Sequence, residues 1–200
     1  MDPGFMFWDV DTQADFMLPQ GKLYVPGAEQ IIPILAKLTI WAAQHQVLII
    51  ASADAHQPGD AEFSLYPPHC LAGTPGQKKI PETSLTPQFI IPNRHGANLP
   101  DVDRYPQIVL DKQEFDVFGN PNTDSLLAQL GKPEIVLYGV VTEICVSAAA
   151  RGLLDRGYRV TVVEDAIRHL DAGKSRAFLQ EVRRRDGRIV TAGQLLSAAA

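Results

Sequence analysis

Cysteine is scarce in this sequence. Two residues in 200 cannot build a disulfide framework. Long hydrophobic runs are missing too, and none approaches the ~18 to 20 apolar residues that a membrane-spanning helix requires. Positive charge is not in excess. Lys and Arg total 18 against 23 Asp and Glu, for a net charge of −5, whereas a nucleic-acid binder shows a basic stripe or patch. The one dense basic run, Arg183, Arg184 and Arg185, falls at the end of a predicted helix, where it complements the helix dipole. The start of the chain has no basic stretch ahead of an apolar one and reaches an acid at Asp2, so no secretory signal is expected. Repeats and low-complexity segments are also lacking. What is present is ordinary globular composition, 46% hydrophobic and 20% charged, which excludes broad disorder. The expectation is one soluble, cytoplasmic domain over residues 1–200, with neither nucleic acid nor membrane as partner.

Short apolar runs alternate with helical stretches. Residues 5–10, 47–53, 107–110, 134–140, 158–163 and 188–191 are apolar on both faces, as strands of a covered parallel sheet are. Helical patterns fill 27–45, 123–131, 142–157 and 171–185; the first places Ile31, Ile32, Leu35 and Leu38 on one stripe. This alternation predicts βαβ units and a doubly wound sheet with helices on both faces. Residues 57–106 break the rhythm. They hold nine of the fifteen prolines and read as a loop-rich insertion, which at that length is usually functional.

In such sheets ligands bind beyond the carboxyl ends of the strands. The polar residues there are Asp9 and Asp11, Asp54 and His56, Asp111 and Lys112, and Glu143 and Cys145. Cys145 falls in the first turn of a predicted helix, capped by Thr142 or a neighbour, where the helix dipole and backbone N–H groups favour a thiolate and can hold an oxyanion. A cysteine between Ile144 and Val146 also fits an inert core position. No histidine follows the first or third of these strands, but Asp11 and Lys112 do. A carboxylate can take the thiol proton while the ammonium stabilises both anions. Taken singly, Asp11 also fits a loop cap, and Lys112 a surface ion pair with Asp111 or Glu114.

A second group carries metal-ligand chemistry. Asp54 and His56 are two apart and so share one face of an extended segment, and His69 follows Pro67-Pro68. One carboxylate and two imidazoles suit one divalent transition metal, Zn²⁺, Mn²⁺ or Fe²⁺. The alternative is a solvated loop with two exposed histidines. Cys70, next to His69, would point elsewhere.

Four segments occur together and in order: Val10-Asp11-Thr12-Gln13-Ala14-Asp15-Phe16; Asp54-Ala55-His56; Tyr66-Pro67-Pro68-His69-Cys70-Leu71-Ala72-Gly73-Thr74; and Gly139-Val140-Val141-Thr142-Glu143-Ile144-Cys145-Val146. The set resembles the isochorismatase-like cysteine hydrolases and, within them, the nicotinamidases, over about residues 5 to 190. The resemblance implies a three-layer α/β/α fold on a central, mostly parallel, six-stranded sheet. It implies Cys145 as nucleophile, Asp11 as base and Lys112 as the third member of a triad, with Asp54, His56 and His69 on a metal. It implies a cis peptide between Val140 and Val141 that aims the Val141 N–H, with that of Cys145, at an oxyanion. Phe16 and Tyr66 match positions flanking an aromatic substrate ring. The implied reaction is hydrolysis of a small amide, nicotinamide, to nicotinate and ammonia by a homo-oligomer. The alternatives are another small amide of the ureido or carbamoyl type, or a silent family member acting as a binding protein. Departures are Tyr66 where relatives carry Trp, Glu62 where some carry a third histidine, and a longer stretch at 78–106. Glu62 lies six residues after His56 and seven before His69, close enough to join the metal and make a mixed site.

Overall fold

The computed structural model describes residues 4–198. Seven strands form one sheet: β1 (Phe5–Val10), β2 (Ile49–Asp54), β3 (Gln88–Ile91), β4 (Gln107–Lys112), β5 (Glu134–Val140), β6 (Val160–Arg168) and β7 (Arg188–Val190). Their order is β3-β4-β2-β1-β5-β6-β7, and every pairing is parallel. The expected six strands are all present, and β3 is a seventh. It is a four-residue, half-exposed edge strand between Pro87 and Pro92, inside the segment read as loop-rich. Proline is tolerated there because an edge strand need not donate on both sides.

Successive residues of a buried strand face opposite layers. Trp8 and Val10 face one layer, covered by α3 (Thr123–Gln129), α4 (Ser147–Asp155) and α5 (Ala172–Arg184). Phe7 and Tyr138 face the other, covered by α1 (Ala14–Met17), α2 (Ile32–His45) and α6 (Ala192–Ala198). The helix expected over 27–45 opens as a 3-10 turn, Ala28–Ile31, and continues as α2 with Pro33 in its first turn, where a missing N–H costs nothing. Leu35 and Leu38 are fully buried on it. The helix expected over 142–157 is in two parts, a π-turn at Thr142–Val146 and then α4. Among the described residues no helix is long and apolar enough to cross a membrane.

The order in which strands are added reverses at β1. From there β2 and β4 build to one side and β5, β6 and β7 to the other. The β1/β5 boundary is therefore the switch point, and its carboxyl edge is where a crevice opens. Gly139 sits at this boundary with φ +117, and a Cβ there would lie 2.1 Å from the Val10 carbonyl oxygen, so only glycine lets the two strand ends close up.

Candidate functional site

β1 ends by turning. Asp11 adopts φ +52, while its N–H still donates to the Ser52 carbonyl at 3.1 Å. The turn leaves its carboxylate inside: Ser52 Oγ donates to Oδ1 at 2.7 Å, and Lys112 Nζ lies 2.9 Å from Oδ2. Lys112 is the last residue of β4, in register with Asp54, the last of β2. Its ammonium also donates to Asp54 Oδ1 and reaches 3.9 Å from Cys145 Sγ. It is 1% exposed, so the surface pair with Asp111 or Glu114 is replaced by a buried pair with Asp11 and Asp54. Cys145 lies in the π-turn after β5. The position ahead of that turn is Val141, no side chain caps it, and the Val140–Val141 peptide is cis.

The electrostatics follow from burial. Burial pushes the Asp11 carboxyl above its ordinary range; Lys112 opposes this and the Asp54 charge adds to it. Burial disfavours the Lys112 ammonium, yet Asp11 and Asp54 outweigh it and hold its pKa well above the usual lysine value. Burial likewise drives the Cys145 thiol well above its ordinary value, with Lys112 opposing and Asp11 and Asp54 adding. The depressed thiol expected from the helix position is thus reversed, because desolvation of a buried thiolate dominates. Burial thus favours the neutral form of the Cys145 thiol.

The second cluster shares Asp54. Its Oδ2 lies 3.7 Å from His56 Nε2 and 3.6 Å from His69 Nε2, and Glu62 Oε1 lies 3.6 Å from His69 Nε2. One ligand atom from each of Asp54, His56, Glu62 and His69 falls within 4.8 Å of the other three. Both histidines are buried rather than exposed on a solvated loop, and both Nε2 atoms are buried without a hydrogen-bond partner. Their Nδ1 atoms are occupied: that of His56 meets Asp60 Oδ2 at 3.0 Å, and that of His69 meets the Pro67 carbonyl at 2.9 Å. Acceptors at Nδ1 fix the proton there and leave the Nε2 lone pairs facing the cluster. Two imidazoles and two carboxylates converging with unsatisfied, buried donor atoms fit a divalent transition metal. Burial pushes the Asp54 carboxyl up, but the charge of Lys112 outweighs it and holds the carboxyl well below the usual range.

Of the two residues expected to flank a substrate ring, Phe16 is the one in contact with this cluster. The Phe16 ring is 5.4 Å from that of His69, while Tyr66 sits edge-on to Phe115 at 5.9 Å. Cys70 stays outside the donor group; it is buried, and its N–H donates to Asp15 Oδ2 at 2.7 Å. Sequence reasoning missed three neighbours. Asp60 lies four residues after His56, and Phe63 has its ring 5.0 Å from that of His56. Gln13 hydrogen-bonds the main chain of Asp54. An acid four residues from a candidate ligand was the available signal for the first, and a place in the segment from Val10 to Phe16 was that for Gln13; Phe63 left none.

The isochorismatase domain pattern matches residues 9–194. The chain belongs to the isochorismatase family. The matched span contains Asp11, Asp54, Lys112, Cys145 and the whole donor group. Among similar family members, the nicotinamidase of Saccharomyces cerevisiae is 28% identical over 186 residues, covering 80% of this chain and 85% of that protein. The nicotinamidase/pyrazinamidase of Mycobacterium tuberculosis is 28% identical over 181 residues, covering 87% and 91%. A solved structure of the pyrazinamidase of Pyrococcus horikoshii in complex with zinc superposes with a TM-score of 0.75 at 26% identity, covering 94% of this chain and 99% of that one.

Proposed function

We propose that this protein is a metal-dependent cysteine amidase that hydrolyses nicotinamide to nicotinate and ammonia. The observation that carries the reading is the sharing of Asp54: one oxygen is bound by the lysine beside the thiol, and the other faces both imidazoles. A thiol centre and a donor cluster joined in this way suit a substrate whose carboxamide meets one while its ring is held by the other. The relatives that bear nicotinamidase names support the choice of amide.

Asp11, a carboxyl whose affinity for protons burial has raised, takes the proton of Cys145. The thiolate attacks the amide carbon, and the N–H groups of Val141 and Cys145 receive the oxyanion. Asp11 returns the proton to the leaving nitrogen, and ammonia departs from an acyl-thioester. Asp11 then takes a proton from water as it attacks that thioester, and releases it to the thiolate as nicotinate leaves. Lys112 remains a cation throughout and offsets the negative charge that passes between Asp11 and Cys145. Phe16 and Tyr66 flank the ring. Asp54, His56, Glu62 and His69 would hold the metal, which when bound supplies an open position for the pyridine nitrogen.

The test is ammonia release from nicotinamide, pyrazinamide and ureido substrates, before and after chelation. Release from the two aromatic amides that falls on chelation and returns with Zn²⁺, Mn²⁺ or Fe²⁺ is the expected result. Release from ureido substrates alone would overturn the choice of amide. Undiminished turnover in protein shown to be metal-free would overturn the metal dependence.

A further inference from the structure

Asp54 stands at the junction of both halves of the site, and what holds its backbone lies outside both. In a parallel ladder the N–H and C=O of one residue reach toward the same neighbouring strand. Those of Asp54 point toward β1, but β1 has already ended: Asp11 turns at φ +52, and its carbonyl accepts the N–H of Gln13 at 2.8 Å. The next rung of the ladder is filled by the Gln13 side chain. Its Oε1 accepts from the Asp54 N–H at 2.7 Å, and its Nε2 donates to the Asp54 carbonyl at 2.7 Å and to the Gln77 carbonyl at 2.6 Å. One donor and two acceptors around the carboxamide match a single orientation of that group. Gln13 is fully buried.

We propose that Gln13 is a positioning residue that sets Asp54 for both centres at once, its carboxamide standing in for the peptide group that β1 no longer supplies. The inference rests on the proposed metal-dependent amidase. It adds that the thiol half and the metal half are held in mutual register by one neutral side chain, tied through Gln77 to the loop after the Pro75–Gln77 turn. A main chain left with an unfilled N–H and C=O would shift, carrying both Asp54 oxygens away from Lys112 and from the imidazoles.

The control is built into the same sheet. Gln107 is also fully buried; its carboxamide accepts from the Leu85 N–H at 2.9 Å and donates to the Thr83 carbonyl at 2.8 Å. It begins β4, five residues before Lys112 and so about 16 Å away along the strand. Gln13→Glu keeps the acceptor for the Asp54 N–H and loses both donors, and Gln13→Met loses all three bonds. Each is compared with Gln107→Glu by Zn²⁺ titration, by the pH profile of iodoacetamide alkylation at Cys145, and by melting temperature. The Gln13 variants are expected to bind Zn²⁺ about 10- to 100-fold more weakly and to displace the alkylation profile. Gln107→Glu is expected to lower the melting temperature and move neither. Gln13 variants that lose only melting temperature, with both curves overlaying wild type, would overturn the proposal. Wild-type protein that binds no Zn²⁺ would refute the metal half of the proposed function, and the alkylation profile would still decide on Gln13. Should neither variant fold, glutamine-labelled wild-type protein gives the reading by NMR. Side-chain amide protons of Gln13 protected from exchange and shifted by Zn²⁺ are expected; exchange at solvent rates would overturn it.

Discussion

Replacing Lys112 with methionine keeps most of the side-chain volume and removes the charge. The ammonium it deletes is 3.9 Å from Cys145 Sγ, 2.9 Å from Asp11 Oδ2 and in contact with Asp54 Oδ1, all buried. With an effective dielectric of about 20, a thiolate and an ammonium at that separation attract by about 4 kcal/mol. At about 1.4 kcal/mol per factor of ten, the thiolate fraction below its titration falls about a thousandfold. Iodoacetamide alkylation of Cys145 at about pH 8 should slow by the same factor, and turnover with it. Stability should fall as well, because two carboxylates remain in the interior without their cation. Breaking a buried pair in this way costs about 3 to 5 kcal/mol, or about 6 to 20 °C in a chain of this size. The pH dependence has a definite sign. The Lys112 pKa is raised in the folded state, so its stabilisation is complete below the unfolded lysine range and is lost only as pH climbs through the higher folded value. Between about pH 5 and 8 the lysine contribution is therefore constant. The stability gap between variant and wild type should narrow toward acid, where the stranded carboxylates take up protons. Alkylation at the wild-type rate, or a gap that widens toward acid, would refute the electrostatic role.

Cys145→Ser should keep the wild-type melting temperature and release no detectable ammonia, because Asp11 is a poor base for a hydroxyl; a serine variant with measurable turnover counts against a thiol nucleophile. Glu62→Gln should weaken Zn²⁺ and Mn²⁺ binding by about 10- to 100-fold in calorimetric titrations and alter the order of preference between them, whereas curves overlaying wild type remove Glu62 from the cluster. Burial alone pushes the Asp111 carboxyl up to about 6. A group whose folded pKa is raised loses stability as pH rises from its unfolded value through the folded one. Asp111→Asn should therefore gain about 1 to 3 kcal/mol at about pH 8 and nothing at about pH 3.5, as read by thermal denaturation.

What could be read from sequence depended on whether the signal was local. Six strands announced themselves as apolar runs, and all six formed; β3 did not, because Gln88-Phe89-Ile90-Ile91 is too short and too hemmed by proline to stand out. Asp54 and His56 were legible as a pair because strand geometry puts alternate side chains on one face. Glu62 was legible by its short loop spacing and by standing where some relatives carry a third histidine, and it does fall within the cluster. Lys112 was harder. Alone it looked like a surface lysine, and only its register against Asp54 carries it inside. The thiol was misjudged for a related reason. Position at a helix start is visible in sequence, whereas the depth of burial that outweighs it is a property of the assembled layers. Gln13 stood in the segment from Val10 to Phe16 without a role attached to it. A glutamine has neither charge nor nucleophile to attract notice, and its place in the ladder exists only because Asp11 turns the chain away.

Trapping the acyl-enzyme tests the account most directly. Wild-type protein quenched with acid during turnover of nicotinamide should show, by intact-mass spectrometry, a fraction carrying one nicotinoyl group. Peptide mapping should locate it on Cys145, and Cys145→Ala should carry none. A nicotinoyl group on Cys70, or one still formed in Cys145→Ala, would contradict the central claim.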